Sequence, residues 1–179
     1  QDYHSIGFEE PGFAYGRYVF QDQGFAITPI PLEEDGLSLT HLKASQLNLV
    51  YVSPSNQFPT GAVMPIQKRL ALLEWIQNRD GLIIEDDYDS ELRYFGRPIP
   101  SMQGLDGGHS VVYVGSFSKL LLPALRISYM VLPPKLMPVL QQKIAFYNQT
   151  ASLVEQLTVA HFMADGQLHK QIRKTRKIY

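Results

Sequence analysis

Lys119 stands where a lysine can do covalent chemistry. It lies in the stretch V-V-Y-V-G-S-F-S-K-L-L-L-P-A-L-R, Val111 to Arg126, which opens as an apolar β run and stops at a glycine. A lysine just past a buried strand suits Schiff-base formation with the aldehyde of a phosphorylated cofactor. The hydroxyls of Ser116 and Ser118 and the guanidinium of Arg126 are the donors that a phosphate dianion needs, the arginine through charge-assisted bonds. Asp86 comes 33 positions before Lys119, directly after the apolar run I-I-E. A carboxylate at the mouth of a buried strand can pair with a protonated pyridine nitrogen and keep the ring an electron sink. Tyr88, two residues on, can donate a hydrogen bond to a phenolate-like ring oxygen.

Competing chemistries lack their parts. Ser116-Phe117-Ser118-Lys119 also spells S-x-x-K, the nucleophile motif of penicillin-binding enzymes, but the companion S-D-N and K-T-G elements are missing. No G-x-S-x-G elbow, P-loop or paired histidines occur, and the five histidines are scattered, so no metal site is expected. Zero cysteines exclude disulfides and thiolate metal sites. A net charge of −1 gives no overall field toward nucleic acid or anionic membrane. The basic tail, His169 to Lys177, reads as an exposed helix end. A hydrophobic content of 45% with 18% charged residues describes a globular chain. It has neither a signal-peptide start nor an apolar run near the ~18 residues of a membrane span, and a cytoplasmic protein is expected.

The elements that must position these residues alternate. Tyr3–Glu9 reads as a strand, Phe13–Gln23 as a helix stopped by Gly24, and Phe25–Pro31 as an edge strand cut by prolines. Glu33 to Gly36 is a turn, and Leu39–Leu47 a short helix with Thr40 as its cap. Leu49–Ser53 is a buried strand running into the loop S-P-S-N-Q-F-P-T-G. The spacing of Ile66, Leu70 and Leu73 predicts a helix ending near Asp80-Gly81. Leu82–Glu85, Val111–Val114 and Ile127–Leu132 are further strands, with Ser90–Gly108 a polar connection. From Lys135 the pattern is helical, with an apolar stripe at Leu153, Leu157 and Ala160. Such alternation implies an α/β fold, a three-layer αβα arrangement around a mostly parallel sheet with a helical C-terminal part. Ligands bind beyond the carboxyl ends of such strands, where Pro54–Gly61, Asp86–Asp89 and Ser116–Lys119 all fall.

Four stretches, S-P-S-N-Q-F-P-T-G, I-I-E-D-D-Y-D-S-E-L, G-S-F-S-K-L-L-L-P-A-L-R-I-S-Y-M-V-L-P-P and H-K-Q-I-R-K-T-R-K-I-Y, resemble in order and spacing the large domain of fold-type I PLP-dependent aminotransferases. The resemblance is closer to the aminotransferase-like effector domain of MocR-type regulators in the GntR family. It implies pyridoxal 5′-phosphate as cofactor, forming an aldimine at Lys119, with Asp86 at the pyridine nitrogen and Tyr88 at the ring oxygen. Ser116, Ser118 and Arg126 map to phosphate contacts, and Phe13 in E-P-G-F to the aromatic stacked on the cofactor. The family's N-P-T-G asparagine is replaced by Phe58, so Asn56 or Gln57 must take its place. Tyr15 stands where one type of regulator has an arginine for a ligand carboxylate; Arg17 is nearby.

The winged-helix DNA-binding domain, the first sheet strand with its phosphate-cradling turn, and the C-terminal small domain have no counterpart here. The chain is therefore expected to be a single large-domain fragment, residues 1–179, of a longer protein. Its expected function is effector sensing through PLP and a small amino compound, in a homodimer that meets DNA only through the absent domain. A catalytically competent aminotransferase is the alternative, and a scaffold unable to retain PLP is the alternative for the fragment. The outer edge of the Ile127–Leu132 strand is expected to be open, or covered by a neighbouring chain or by the C-terminal helices.

Overall fold

The computed structural model describes residues 3–89, 99–147 and 149–177. The first half of the Ser90–Gly108 connection, the end of the I-I-E-D-D-Y-D-S-E-L motif and the final Ile178 and Tyr179 lie outside the described residues. In chain order the elements are β1 (Ser5–Glu10), α1 (Ala14–Asp22), β2 (Ala26–Glu33), β3 (Gly36–Leu37), α2 (Leu39–Ala44), β4 (Leu49–Val52), α3 (Ile66–Gln77) and β5 (Leu82–Asp87). They continue with α4 (Met102–Asp106), β6 (Val111–Ser116), β7 (Ser128–Val131), α5 (Met137–Ile144), α6 (Leu153–Ala164) and α7 (Gln167–Thr175).

The strands form one seven-stranded sheet in the order β3-β2-β1-β4-β5-β6-β7. The pairings of β1 with β2 and β4, of β4 with β5 and of β5 with β6 are parallel, and the two outer pairings are antiparallel. Continuous apolar strands such as Leu49–Val52 follow from burial on both faces. On one face Val50, Val52, Ile83 and Val111 pack with Leu72, Leu73 and Ile76 of α3 and Met102 of α4. On the other, Ile6, Phe8, Leu49, Tyr51 and Leu82 pack with Phe20 of α1. The expected three-layer, mostly parallel αβα architecture is observed.

Several local readings change. The β5 ladder continues through Asp86↔Val114 and Asp87↔Gly115, so Asp86 lies within the strand and Ser116 ends β6. Ser38, not Thr40, caps α2, its hydroxyl accepting from the His41 amide at 3.4 Å. The buried side of α3 is Arg69, Leu72, Leu73 and Ile76, while Leu70 is exposed. The cause is Arg69, 1% exposed, whose guanidinium donates to the carbonyls of Met64, Pro100 and Pro54. Leu153 and Leu157 of the expected α6 stripe are also exposed; Val159 is the buried residue of that helix.

Among the described residues no strand pairs with the outer edge of β7, and Met130 and Val131 are exposed there. The C-terminal helices pack elsewhere: Leu168 and Ile172 of α7 and Phe162 of α6 meet Phe117, Leu120 and Leu121 beside Lys119.

Gly81 sets where β5 begins, because Leu82 N–H bonds the Asn48 carbonyl at 2.9 Å. A Cβ at Gly81 would lie 2.4 Å from that carbonyl oxygen and 2.6 Å from Ile76 Cδ1. Gly81→Ala is expected to destabilise the fold by about 1–3 kcal/mol through overpacking. Urea unfolding checks this as a lowered midpoint at unchanged slope.

Candidate functional site

Since β4, β5 and β6 are adjacent and parallel, their carboxyl ends share one rim. A cavity of about 270 Å³ opens there, lined by Phe13, Ser53, Phe58, Asp86 and Tyr88. Phe13 reaches it from the N-cap position of α1, Ser53 and Phe58 from the segment after β4, and Asp86 and Tyr88 from the end of β5. Alternation along β5 puts Ile84 and Asp86 on the α1 face and Ile83 on the α3 face.

Lys119 sits on the turn after β6 with 43% of its side chain exposed. Its Nζ lies 5.0 Å from the Tyr88 ring centroid and 2.7 Å from Asp89 Oδ2. Asn56 Nδ2 donates to the same oxygen at 2.7 Å, and the Tyr88 hydroxyl donates to the Asn56 carbonyl at 3.0 Å. Asn56, Tyr88 and Lys119 are thus joined through Asp89, which sequence reasoning did not single out. Its one signal was a third aspartate of the run, directly after Tyr88.

The expected phosphate ligands are arranged less tightly. The Ser116 hydroxyl donates to the Ile127 carbonyl at 3.5 Å and accepts from the Ser118 amide at 3.2 Å. Arg126 is exposed and has no hydrogen-bond or ion-pair partner among the described residues. None of the three lines the cavity. Arg126 has φ of 50°, a left-handed conformation that a side chain disfavours. It is held there by the Ser116↔Ser128 pairing and the 3.1 Å bond from Phe117 N–H to the Ile127 carbonyl.

Gln57, the alternative to Asn56, is committed elsewhere. It is 2% exposed, its Nε2 donates to the carbonyls of Pro11 at 2.9 Å and Phe58 at 2.6 Å, and its Oε1 accepts from the Thr60 hydroxyl at 2.6 Å. These bonds tie the turn before Phe13 to the loop bearing Phe58. Arg17 is likewise engaged, 2.6 Å from Glu10 Oε2 and donating to the Glu9 carbonyl at 3.2 Å.

The floor of the site is acidic. Burial pushes the Asp86 carboxyl above its usual range, opposed by a hydrogen bond from the Tyr51 hydroxyl. Glu9, buried on β1, accepts from the Ser53 amide at 3.2 Å and from Gln57 Nε2 at 3.4 Å. Its Oε1 has no hydrogen-bond partner among the described residues, and burial raises its pKa to about 7. No group of acids and histidines among the described residues is arranged to hold a metal ion, and no described helix is long and apolar enough to cross a membrane.

The profile described as aminotransferase class I and II matches residues 5–179. The chain belongs to that family. Among curated proteins it is similar to the uncharacterized HTH-type transcriptional regulator YdeL of Bacillus subtilis, 47% identical over 98% of the chain and 38% of that protein. It is 39% identical to the probable rhizopine catabolism regulatory protein MocR of Rhizobium meliloti, over 96% of the chain and 35% of that protein. The chain therefore spans well under half the length of these relatives. Among solved structures, the kynurenine aminotransferase of Pyrococcus horikoshii, crystallised with PMP, superposes with a TM-score of 0.90 at 28% identity, covering all of this chain and 46% of the enzyme.

Glu9 is expected to contribute to the pH dependence of stability in this aminotransferase-family domain. The unfolded carboxyl ionises near its ordinary 4.5, while the folded one stays protonated until about 7. As pH rises through that window the unfolded state alone releases the proton, so stability falls and then levels off. The loss from Glu9 is about 3 kcal/mol. Glu85, raised to about 7 by burial, acts in the same direction. Urea midpoints at pH 5 and pH 8 are expected to differ less in Glu9→Gln than in the parent chain; equal differences would contradict this origin.

Proposed function

We propose that this chain is the pyridoxal 5′-phosphate-binding, effector-sensing domain of a MocR-type transcriptional regulator of the GntR family. The observation that carries the cofactor assignment is the meeting of Asp86 and Tyr88 on one cavity wall with Lys119 Nζ 5.0 Å from the Tyr88 ring. Aromatic walls, a carboxylate and an adjacent amine are a donor set that fits a flat, cationic heteroaromatic ring bearing an aldehyde. When bound, such a group supplies an electron sink for charge developing on an amino compound.

In this reading Asp86 holds the proton of the ring nitrogen, and Tyr88 and Asn56 serve the ring oxygen. Phe13 covers one face of the ring, and Lys119 offers the amine that meets the aldehyde. Ser116, Ser118 and Arg126 hold the phosphate, the exposed guanidinium supplying charge-assisted bonds. A small amino compound is the effector. DNA is met only through a domain outside this chain, and the full-length protein is a homodimer that works in the cytoplasm.

The regulator reading is supported by 47% and 39% identity to proteins described as regulators, against 28% to the superposed aminotransferase. The fold is common to both and does not choose between them. An enzyme reading keeps the same residues, with Lys119 moving a proton at its Nζ.

Adding PLP to the chain and to its Lys119→Ala variant is the test. The parent is expected to develop a visible absorbance band that free PLP lacks, and the variant, with unchanged circular dichroism, is expected to lack it. The same band in both, or no band in either at saturating cofactor, overturns the assignment.

A further inference from the structure

Tyr51 belongs to the run L-V-Y-V and reads as an ordinary core residue. In the structure it is 9% exposed, and its ring stacks on Phe8 with centroids 4.8 Å apart and planes 20° from parallel. It is level with Ile84 on the neighbouring strand, so its hydroxyl reaches along the α1 face to Asp86, two residues further on, and donates to Oδ2. We infer that Tyr51 is the positioning residue of this site, holding one oxygen of Asp86 in place and supplying the hydrogen bond that its charged form needs. The inference rests on the reading of Asp86 as the partner of a cationic ring.

The surroundings explain why that bond matters. Asp87 on β5, Asp89 just beyond it and Glu9 on β1 all oppose a negative charge at Asp86, as does burial. Among the described residues the Tyr51 hydroxyl is the donor Asp86 has. The phenol is in turn kept protonated, because burial and the charges of Asp86 and Glu9 push its own ionisation far upward. It therefore donates across the whole range in which a carboxylate titrates. The stack on Phe8, itself 1% exposed, fixes the ring. Asp86 itself lines the cavity.

The experiment is a carbon-13 carboxyl titration of the ligand-free chain, with Asp86 assigned by the loss of its signal in Asp86→Asn. Tyr51→Phe keeps the stack and removes only the donor. It is expected to raise the Asp86 midpoint by roughly one to two pH units, the size expected when a charged acceptor loses a hydrogen bond. Site-specific replacement of Tyr51 by 3-fluorotyrosine, a stronger donor, is expected to move the midpoint down. This second replacement keeps the test open should the phenylalanine variant fold poorly. With PLP added, Tyr51→Phe is expected to weaken binding about tenfold at pH values below the Asp86 midpoint of the parent chain, the consequence of losing one pH unit of charge stabilisation, and progressively less above it. In an Asp86→Asn background the same change is expected to have no such effect. An unmoved Asp86 midpoint, or equal weakening with and without Asp86, overturns the inference. If the chain binds no PLP at all, the function reading falls, while the ligand-free titration still decides the role of Tyr51.

Discussion

The hydrogen-bonded ladder through β4, β5 and β6, from Leu49↔Leu82 to Asp87↔Gly115, is the constraint from which the site follows. Parallel pairing sends three chain segments out of the sheet at one rim, and the two-residue alternation of β5 divides its acids between faces. Asp86 turns to the cavity beside Tyr51. Glu85 turns the other way, is 0% exposed, and accepts the amides of Met102 and Gln103 at 2.8 and 2.9 Å at the start of α4. Asp87 accepts from the Tyr113 hydroxyl at 2.8 Å. One strand end thus anchors a helix, pins its neighbour and supplies a carboxylate to the cavity.

Burying so many carboxyls is unfavourable, and a chain selected only for stability would not keep them. Burial raises Glu9 and Glu85 to about 7, and each is met by donors that recover part of the cost. Arg69 is a near neighbour of Glu85, at 3.9 Å, yet its own shorter bonds go to the carbonyls of Met64, Pro100 and Pro54. Its buried charge is used mainly to order both ends of the loop that carries Asn56, Gln57 and Phe58. The Gln57 amide continues that ordering across to Pro11, two residues before Phe13. The two aromatic walls of the cavity are therefore set by polar bonds made behind them.

Much of this was legible in the chain. Apolar runs followed by Asp86 and by Ser116 marked where the strands end to within one or two residues, and alternation with helices marked a parallel sheet. Asn56, Asp86, Tyr88 and Lys119 emerge close together as a result, and Phe13 came through family resemblance. What escaped depends on register. Tyr51 looks like core within L-V-Y-V, and only its level with Ile84 reveals a partner 35 residues away. Asp89 looks like one more acid of a solvated run until the strand end turns it toward both Asn56 and Lys119. Helical spacing alone misjudged α3 for a different reason. A periodic count ranks Leu70 as buried and Arg69 as exposed, whereas the bonds from Arg69 to three backbone carbonyls reverse the order.

Lys119 and Asp86 are held by different parts of the molecule. Asp86 is fixed by the central ladder and by Tyr51, while the Lys119 turn leans on α6 and α7 through Leu120, Phe162, Leu168 and Ile172. Asp89 spans the two supports: it continues from β5, is itself buried, and takes Lys119 and Asn56 on the same oxygen. A charge-assisted contact of this kind holds direction as well as distance. The relative placement of the amine and the carboxylate therefore depends less on either support alone than on the Asp89 bridge between them.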